Sequence, residues 1–225
     1  SFKDKVYMSN LCQEITLPTK PLNHIDDEEG EIALCILSAI NVGTIRSVDD
    51  LEELCELAVR ALEEIIDYQR YPIKAAEIST KARRSLGIGY IGLAHYLAKN
   101  QVQYSDPKAW KLVHNLTEAF QYYLLKASNK LAQERGACDY FNRTKYSDGI
   151  LPIDTYKKEV DELGKFKLKY DWETLRSDIS NHGLRHSTLS AQMPSESSSV
   201  VSNATNGIEP PRGYLSVKKS KKGPL

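Results

Sequence analysis

The feature that most constrains the fold is the apolar run at residues 31–43, EIALCILSAINVG, which closes at Gly43. Its length and flanks predict a strand buried on both faces, as the strands of parallel sheets are. An amphipathic helix follows, because apolar residues recur at helical spacing from Leu51 to Ile66. A buried strand followed by a helix predicts α/β architecture. Cys55 lies on the apolar stripe of this helix and is expected in the core.

Further elements along the chain agree with this class. A long amphipathic helix is predicted at 108–135, ending at Gly136. Shorter helices are predicted near 154–163 and 171–181, and residues 186–194 are typical of a short buried strand. The alternation of strands and helices implies a sheet, part of which the chain does not contain.

Composition excludes several classes of function. Lys and Arg together number 30, as do Asp and Glu, so net charge does not favour bulk binding of nucleic acid. The basic tail after Pro211 is interpreted as a surface segment. No apolar run reaches the length of about 18 residues that a transmembrane helix needs. The four cysteines form no C-x-x-C pair, so neither a zinc site nor a disulfide framework is expected. Their use is typical of a reducing, cytosolic setting.

A literal G-x-G-x-x-G occurs at Gly87, Gly89 and Gly92. A dinucleotide fingerprint needs a strand before it and an acidic residue about 20 positions later. The preceding residues, KARRS, are charged and untypical of a strand, and no strand ending in Asp or Glu follows at that distance. We therefore interpret these glycines as permitting close packing of helices. The acidic run at 26–29 is interpreted as a solvated turn, with a divalent-ion site as the alternative.

The stretch SNLCQEITLP at residues 9–18 is the first candidate site. Residues 6–18 are predicted to be extended, so Asn10, Cys12 and Glu14 would point the same way in steps of about 7 Å. An ionised carboxylate is costly to bury, which favours a polar substrate beside this row. The thiol would make or break bonds, the carboxylate would move a proton and the amide would hold a hydroxyl. A structural cysteine on a half-exposed strand remains the alternative.

The carboxylate beside the thiol favours one kind of chemistry over another. A negative charge disfavours the thiolate, so the pair suits hydrogen-atom transfer better than nucleophilic attack. Cys35 lies in the apolar run and is either a small hydrophobic residue or a redox partner at the same pocket.

The second candidate site is the sequence Pro194-Ser195-Glu196-Ser197-Ser198. A strand, a serine-rich turn and a helix start together favour phosphate binding, because hydroxyls and backbone N–H groups can donate to an anion there. Glu196 opposes an anion unless it faces outward or caps the helix. An ordinary helix cap has the same pattern, so this alternative stays open.

These segments together resemble a known family. SNLCQEI, GEIALCILSAINVG and HSTLSAQMPSESSSVVSNATNGIEPPRGY are similar, in this order, to the large catalytic subunit of class I ribonucleotide reductase. The resemblance implies a ten-stranded α/β barrel with a central finger loop that carries the reactive cysteine. Residues 1–225 would be a partial catalytic barrel domain, a fragment of a longer subunit without its nucleotide-binding cone or effector loops.

The resemblance also implies a role for each candidate residue. Cys12 would be the thiyl-radical cysteine that takes the 3′-hydrogen, Glu14 the base on the 3′-hydroxyl, and Asn10 a hydrogen-bond partner of the sugar hydroxyls. Cys35 would be one of two thiols that reduce the 2′-carbon and end as a disulfide. The substrate diphosphate would be bound by Pro194, Ser195, Glu196, Ser197 and Ser198.

Partners follow from the same resemblance. The segment itself would bind no metal or cofactor, its radical would come from a metal-containing small subunit, and thioredoxin or glutaredoxin would be the external reductant. The other expected partners are the remainder of the large subunit and a ribonucleoside diphosphate, in the cytoplasm, with no membrane or nucleic acid; alone, the segment should not turn over. The alternatives are a nucleotide-binding α/β module with structural cysteines, and a scaffold fragment without a site.

Overall fold

Two parallel strands form the centre of the chain. The computed structural model describes residues 2–213 and 215, and the backbone alone of 219–220 and 223–224. Strand β1 (Ile36–Asn41) pairs in parallel with β2 (Leu86–Ile91) over six residues each. The chain is thus of mixed α/β class, as predicted, with a partial sheet.

Helices and short turns make up most of the remaining regular structure. The helices are α1 (Leu51–Tyr68), α2 (Lys74–Arg83), α3 (Leu93–Lys99), α4 (Pro107–Arg135), α5 (Trp172–His182) and α6 (Glu196–Val201). The 3-10 turns are Val48–Asp50, Phe141–Arg143, Lys145–Asp148, Pro152–Asp154 and Lys158–Glu162. A two-residue antiparallel pair, β3 (Lys219–Ser220) and β4 (Gly223–Pro224), lies in the tail, and Lys218, Lys221 and Lys222 of the predicted basic segment lie outside the described residues.

Three predicted helices are confirmed with small changes of boundary. α1 follows a 3-10 turn that Ser47 caps, because the Ser47 side chain accepts from Asp49 N and Asp50 reaches back to the cap. α4 begins at Pro107 and ends before Gly136, which has a φ of 85°. α5 begins after Asp171, whose side chain accepts from Thr174 N.

The core lies on one face of the sheet. Leu86, Ile88 and Tyr90 of β2 are buried in the same cluster as the apolar faces of α1 and α4. Tyr90 meets Phe120 edge to face, with ring centroids 5.3 Å apart. Cys55 is fully buried there, as predicted, and burial raises the pKa of its thiol to about 12.

β1 is less buried than its apolar sequence predicts. β2 is its neighbour on one side, and the described part of the chain places no strand on the other side. Leu37 is consequently 45% exposed. The prediction of a strand buried on both faces is therefore wrong for this segment, since burial of a central strand needs neighbours that the described residues do not supply.

Two further predictions about regular structure are wrong. Leu86–Ile91 is a strand, so Gly87 and Gly89 do not serve the packing of helices. Because these two positions are glycine, the apolar pattern of the segment was typical of neither a helix nor a strand. Residues 154–163 contain parts of two 3-10 turns and no α-helix.

Residues 186–194 are extended but make only an irregular ladder. Ser190 forms a parallel bridge with Ile88, and Leu86 N donates to Thr188 O at 3.0 Å. This segment, residues 186–193, therefore flanks β2 on the side away from β1. In the acidic run, Asp27 is buried and accepts from Asn23 N and Glu29 N, both at 2.8 Å, which agrees with a turn.

Candidate functional site

Residues 9–16 form a tight hairpin and not the extended row that the sequence predicts. Ser9 and Thr16 pair as an antiparallel bridge, and Asn10 N donates to Ile15 O at 3.1 Å. Gln13 has a φ of 63°, which reverses the chain direction. The Asn10 side chain stabilises this turn, because its Oδ1 accepts from Ile15 N at 3.1 Å. The prediction that Asn10, Cys12 and Glu14 point the same way is therefore wrong. The Asn10 side chain accepts from a backbone N–H within the turn and so stabilises the turn over an extended conformation.

The hairpin presents its thiol at the tip. Cys12 is exposed, and its neighbour Leu11 is 96% exposed. The thiol is thus accessible to a molecule that approaches this end of the hairpin.

Glu14 lies on the inner side of the hairpin, near the other candidate thiol. Cys35, just before β1, is partly buried, and burial together with the nearby Glu14 carboxylate raises the pKa of its thiol to about 12. Glu14 Oε2 is itself buried, and it has no hydrogen-bond partner among the described residues. The structure thus brings Glu14 and Cys35 together, and it keeps the Cys35 thiol protonated at neutral pH.

Gly87 makes room for Cys35 and the hairpin beside β2. A Cβ at Gly87 would lie 2.8 Å from Cys35 Sγ and 3.0 Å from Ile15 Cδ1. The first distance is shorter than real Cβ contacts and the second is tight, so a larger residue at position 87 would force Cys35 or the hairpin to shift.

Gly89 makes room for the segment that leads to the serine-rich turn. A Cβ there would lie 2.4 Å from Ala191 O and 3.0 Å from Met193 Sδ. Residues two apart on a strand share a face, about 7 Å from each other. Hairpin, Cys35 and the approach to Ser195 therefore lie side by side on the face of β2 opposite the helical core.

The serine-rich turn begins the short helix α6. Ser195 N donates to Asn206 Oδ1 at 2.8 Å, which fixes the turn against a residue eleven positions later. Ser195 Oγ is buried, and it has no hydrogen-bond partner among the described residues. Ser197 and Ser198 are exposed, and the Ser198 hydroxyl donates to Ser195 O at 3.3 Å. The turn can therefore offer hydroxyl and first-turn backbone donors to an anion.

Glu196 and Pro194, the other two predicted members of this turn, are exposed. Glu196 occupies the first position of α6, where a carboxylate is favourable for the helix dipole.

The predicted site residues do not line either of the two cavities found among the described residues. One cavity of about 820 Å³ lies between α4 and residues 152–172, and a second of about 290 Å³ adjoins Lys145, Thr188 and Ser190. Neither has a predicted site residue in its lining. The described residues also contain no group of three or more His, Cys, Asp or Glu that could hold a metal ion.

Sequence reasoning missed three residues that shape this face. Gly87 and Gly89 keep it open, and Gln192 fixes the adjacent segment by accepting from Tyr90 N and donating to Tyr90 O, both at 3.1 Å. The two-residue spacing of the glycines within an apolar stretch was the available signal, because period two is typical of a strand.

Comparison with known proteins gives one consistent family. A model of the family described as "Ribonucleotide reductase, barrel domain" matches residues 1–225. The chain is 64% identical over 220 residues to the ribonucleoside-diphosphate reductase subunit alpha of Haemophilus influenzae. It is 63% identical over 220 residues to ribonucleoside-diphosphate reductase 1 subunit alpha of Escherichia coli, and 48% identical over 223 residues to ribonucleoside-diphosphate reductase subunit alpha of Enterobacteria phage T4. Each match covers 98% of this chain and 29% of the relative, so the chain spans less than a third of these relatives.

Proposed function

The chain belongs to the family of the ribonucleotide reductase barrel domain, and on that premise we propose that it is the catalytic segment of a ribonucleoside-diphosphate reductase. The reaction would replace the 2′-hydroxyl of a ribonucleoside diphosphate by hydrogen. The hydroxyl leaves as water, and two thiols are oxidised to a disulfide, which balances the two electrons. The relatives that carry this name support the proposal. The observation that supports it here is the packing around β2, where Ile15 of the hairpin and Cys35 lie at Gly87, and Ala191 and Met193, which lead to the serine turn, lie at Gly89.

The hairpin would act on the 3′ position of the ribose. Cys12, as a thiyl radical, would take the 3′-hydrogen and return it at the end of the cycle. Glu14 would accept the proton of the 3′-hydroxyl, and its buried, unpartnered Oε2 supports this role. Asn10 would donate from Nδ2 to a sugar hydroxyl, because its Oδ1 is occupied within the turn.

Cys35 would supply one of the two reducing thiols. A pKa of about 12 keeps it as a thiol with a hydrogen to deliver. Its partner thiol would come from another part of the complete subunit. After turnover, thioredoxin or glutaredoxin would reduce the resulting disulfide.

The turn Pro194–Ser198 would hold the diphosphate. Support comes from the buried, unpartnered Ser195 Oγ and from the exposed hydroxyls of Ser197 and Ser198. Hydroxyl and helix-start donors suit phosphate oxygens.

The architecture and partners of the complete enzyme belong to the same proposal. β1, β2 and residues 186–193 would be three strands of a ten-stranded barrel, and the hairpin would be its central finger loop. The remainder of the large subunit would complete the barrel, and a metal-containing small subunit would supply the radical. We place the enzyme in the cytoplasm; within the described part of the chain, no helix has the length and apolar content needed to cross a bilayer.

Substitution of single thiols in the complete enzyme tests this assignment. Cys12→Ser and Cys35→Ser should each reduce deoxynucleotide production by more than about a thousandfold, since each removes an essential reactant. Cys138→Ala is the matched control, because Cys138 is buried within the loop that follows α4, and the variant should keep an activity near that of wild type. Full activity in either serine variant would refute the assignment. It would favour the alternative of a nucleotide-binding module with structural cysteines.

A further inference from the structure

A single buried guanidinium holds both ends of the segment that carries the hairpin. Arg83, the last residue of α2, is 3% exposed. Its Nη1 lies 2.9 Å from Asp4 Oδ2, and its Nη2 lies 2.7 Å from Glu31 Oε2. Its Nε donates to Glu31 Oε2 at 2.8 Å, whereas the two Nη contacts are ion pairs outside hydrogen-bond angles. Arg83 thus contacts Asp4 before the hairpin and Glu31 after it, so it contacts both ends of the segment 4–31 that contains the hairpin.

Other contacts around Arg83 fix the same two points. Arg143 Nε lies 2.9 Å from Asp4 Oδ2, and Arg143 Nη2 lies 3.4 Å from Glu31 Oε1. The ring of Tyr140 lies under both guanidinium groups, at 5.0 Å from Arg83 Cζ and 4.2 Å from Arg143 Cζ. Although burial alone would raise the pKa of Asp4, its contacts with Arg143 and Arg83 lower it, so Asp4 is ionised.

Backbone hydrogen bonds also hold Glu31 and Arg83 in place. Lys20 and Glu31 pair as an antiparallel bridge, with N–O distances of 3.1 and 3.0 Å. Ser187 N donates to Arg83 O at 2.9 Å, so the same residue also contacts the segment that leads to the serine turn. The hairpin segment is therefore anchored to the sheet through Arg83.

We propose that Arg83 is a positioning residue that sets where Cys12 and Glu14 stand relative to Cys35. The effect on catalysis rests on the proposed function, whereas the anchoring of the segment by Arg83 is independent of it. Arg83 touches no reacting group; it acts through Asp4 and Glu31, which begin and end the segment. Glu31 lies only four residues before Cys35. By contacting both Asp4 and Glu31, the Arg83 guanidinium therefore fixes the start of the hairpin segment relative to the residues that lead to Cys35. A planar fork that binds two carboxylates suits this task better than an ammonium does.

The test compares Arg83→Gln with an exposed control in the complete two-subunit enzyme. Arg46→Gln is the control, because the Arg46 side chain is 89% exposed and pairs with Asp50, four residues later in its own segment. In Arg83→Gln we expect kcat to fall about 10- to 100-fold, since small displacements of reacting groups have effects of this size. KM for the nucleotide should stay within about twofold, because the serine turn is unaltered.

Hydrogen exchange supplies a readout that does not depend on activity. The amides of Lys20 and Glu31 should exchange faster in Arg83→Gln, whereas the amide of Val42, bonded to Ile91 O, should be unchanged. Asp4→Asn, at a less buried position, should give the same changes in smaller degree if Arg83→Gln does not fold.

Two outcomes would overturn the proposal. Wild-type kcat in Arg83→Gln and Asp4→Asn would show that the anchor does not position the catalytic groups. Equal acceleration at Val42 would show that Arg83 is a general stabilising residue. An active Cys12→Ser enzyme would instead refute the proposed function, while hydrogen exchange would still report on the anchor.

Discussion

At the scale of single residues, the structure couples Glu14 to Cys35 through charge. Burial and the Glu14 carboxylate both raise the pKa of the Cys35 thiol, to about 12. This coupling was not predicted from the sequence, because the two residues are 21 positions apart and spacing along one strand could not relate them. The reasoning that a carboxylate beside a thiol disfavours the thiolate applies to Cys35, which the fold places near Glu14.

Alkylation of Cys35 in the folded subunit should therefore be slow and should depend on Glu14. With a pKa of about 12, roughly one part in ten thousand is thiolate at pH 8, so the rate should keep rising with pH beyond 10. Glu14→Gln removes the negative charge, lowers the pKa of Cys35 and should increase its alkylation rate at least about twofold.

Iodoacetamide labelling of the complete subunit, read by mass spectrometry, measures this rate at Cys35. Glu28→Gln is the control, since Glu28 is exposed on the loop after the hairpin and should leave the rate unchanged. An unchanged rate in Glu14→Gln would show that the carboxylate does not act on Cys35.

At the scale of elements, a buried ionic cluster joins α1, the end of α2 and the segment at 186–193. Glu63 of α1 is fully buried and meets Arg84 Nε at 2.8 Å and Arg185 Nε at 2.6 Å. His186 Nε2 lies 3.0 Å from Glu63 Oε2, and its Nδ1 lies 2.9 Å from Ser128 Oγ. A neutral ring with its proton on Nε2 satisfies both contacts, in agreement with burial lowering the pKa of His186.

Removing the charge of Glu63 should strongly destabilise the fold. Burial alone would raise the pKa of Glu63, but the hydrogen bonds from His186, Arg84 and Arg185 outweigh it and hold the pKa far below its ordinary value. Glu63→Gln leaves the two arginines short of a buried partner and should cost about 3–5 kcal/mol. Glu56→Gln in the same helix, where the carboxylate is partly exposed, should cost no more than about 1 kcal/mol.

The difference in the free energy of unfolding between wild type and Glu63→Gln should also decrease as the pH falls. Because the folded-state pKa of Glu63 is depressed, its contribution is fully present above the ordinary carboxyl value of 4.5 and is lost as pH falls below it. Urea midpoints of the complete subunit at pH 7.5 and pH 4 measure this. A gap between the two proteins that is as large at pH 4 as at pH 7.5 would contradict the account.

Elements differ in how well the sequence predicts them. α1, α4 and α5 carry their periodicity locally, α4 also has Pro107 at its start and Gly136 at its end, α5 has Asp171 as its cap, and all three were predicted. β2 was missed, because glycine is depleted in strands and Gly87 and Gly89 occupy two of its six positions. The hairpin was missed because it depends on Gln13 in a left-handed conformation, for which Gly or Asn is the usual signal.

At the scale of the whole molecule, the helices cover one face of the sheet and leave the other open. The candidate residues, and their convergence on one site, were predicted from residue types and from resemblance. The packing around β2 and the serine turn was not predicted, because it depends on Gly87 and Gly89 and on the contact of Asn206 with Ser195. Among the described residues no strand pairs with the outer edge of β1, which agrees with a chain that spans 29% of the length of its relatives.

The central claim is that the thiols on this face act on one ribose, and a single turnover without external reductant tests it most directly. The complete enzyme, with its small subunit and one ribonucleoside diphosphate, is quenched by alkylation, and each cysteine is assigned by mass spectrometry. We expect one Cys35 in a disulfide for each deoxynucleotide formed, with Cys12 recovered as a thiol and the buried Cys55 and Cys138 unoxidised. Deoxynucleotide formed in equal amount while Cys35 remains a free thiol would contradict the account.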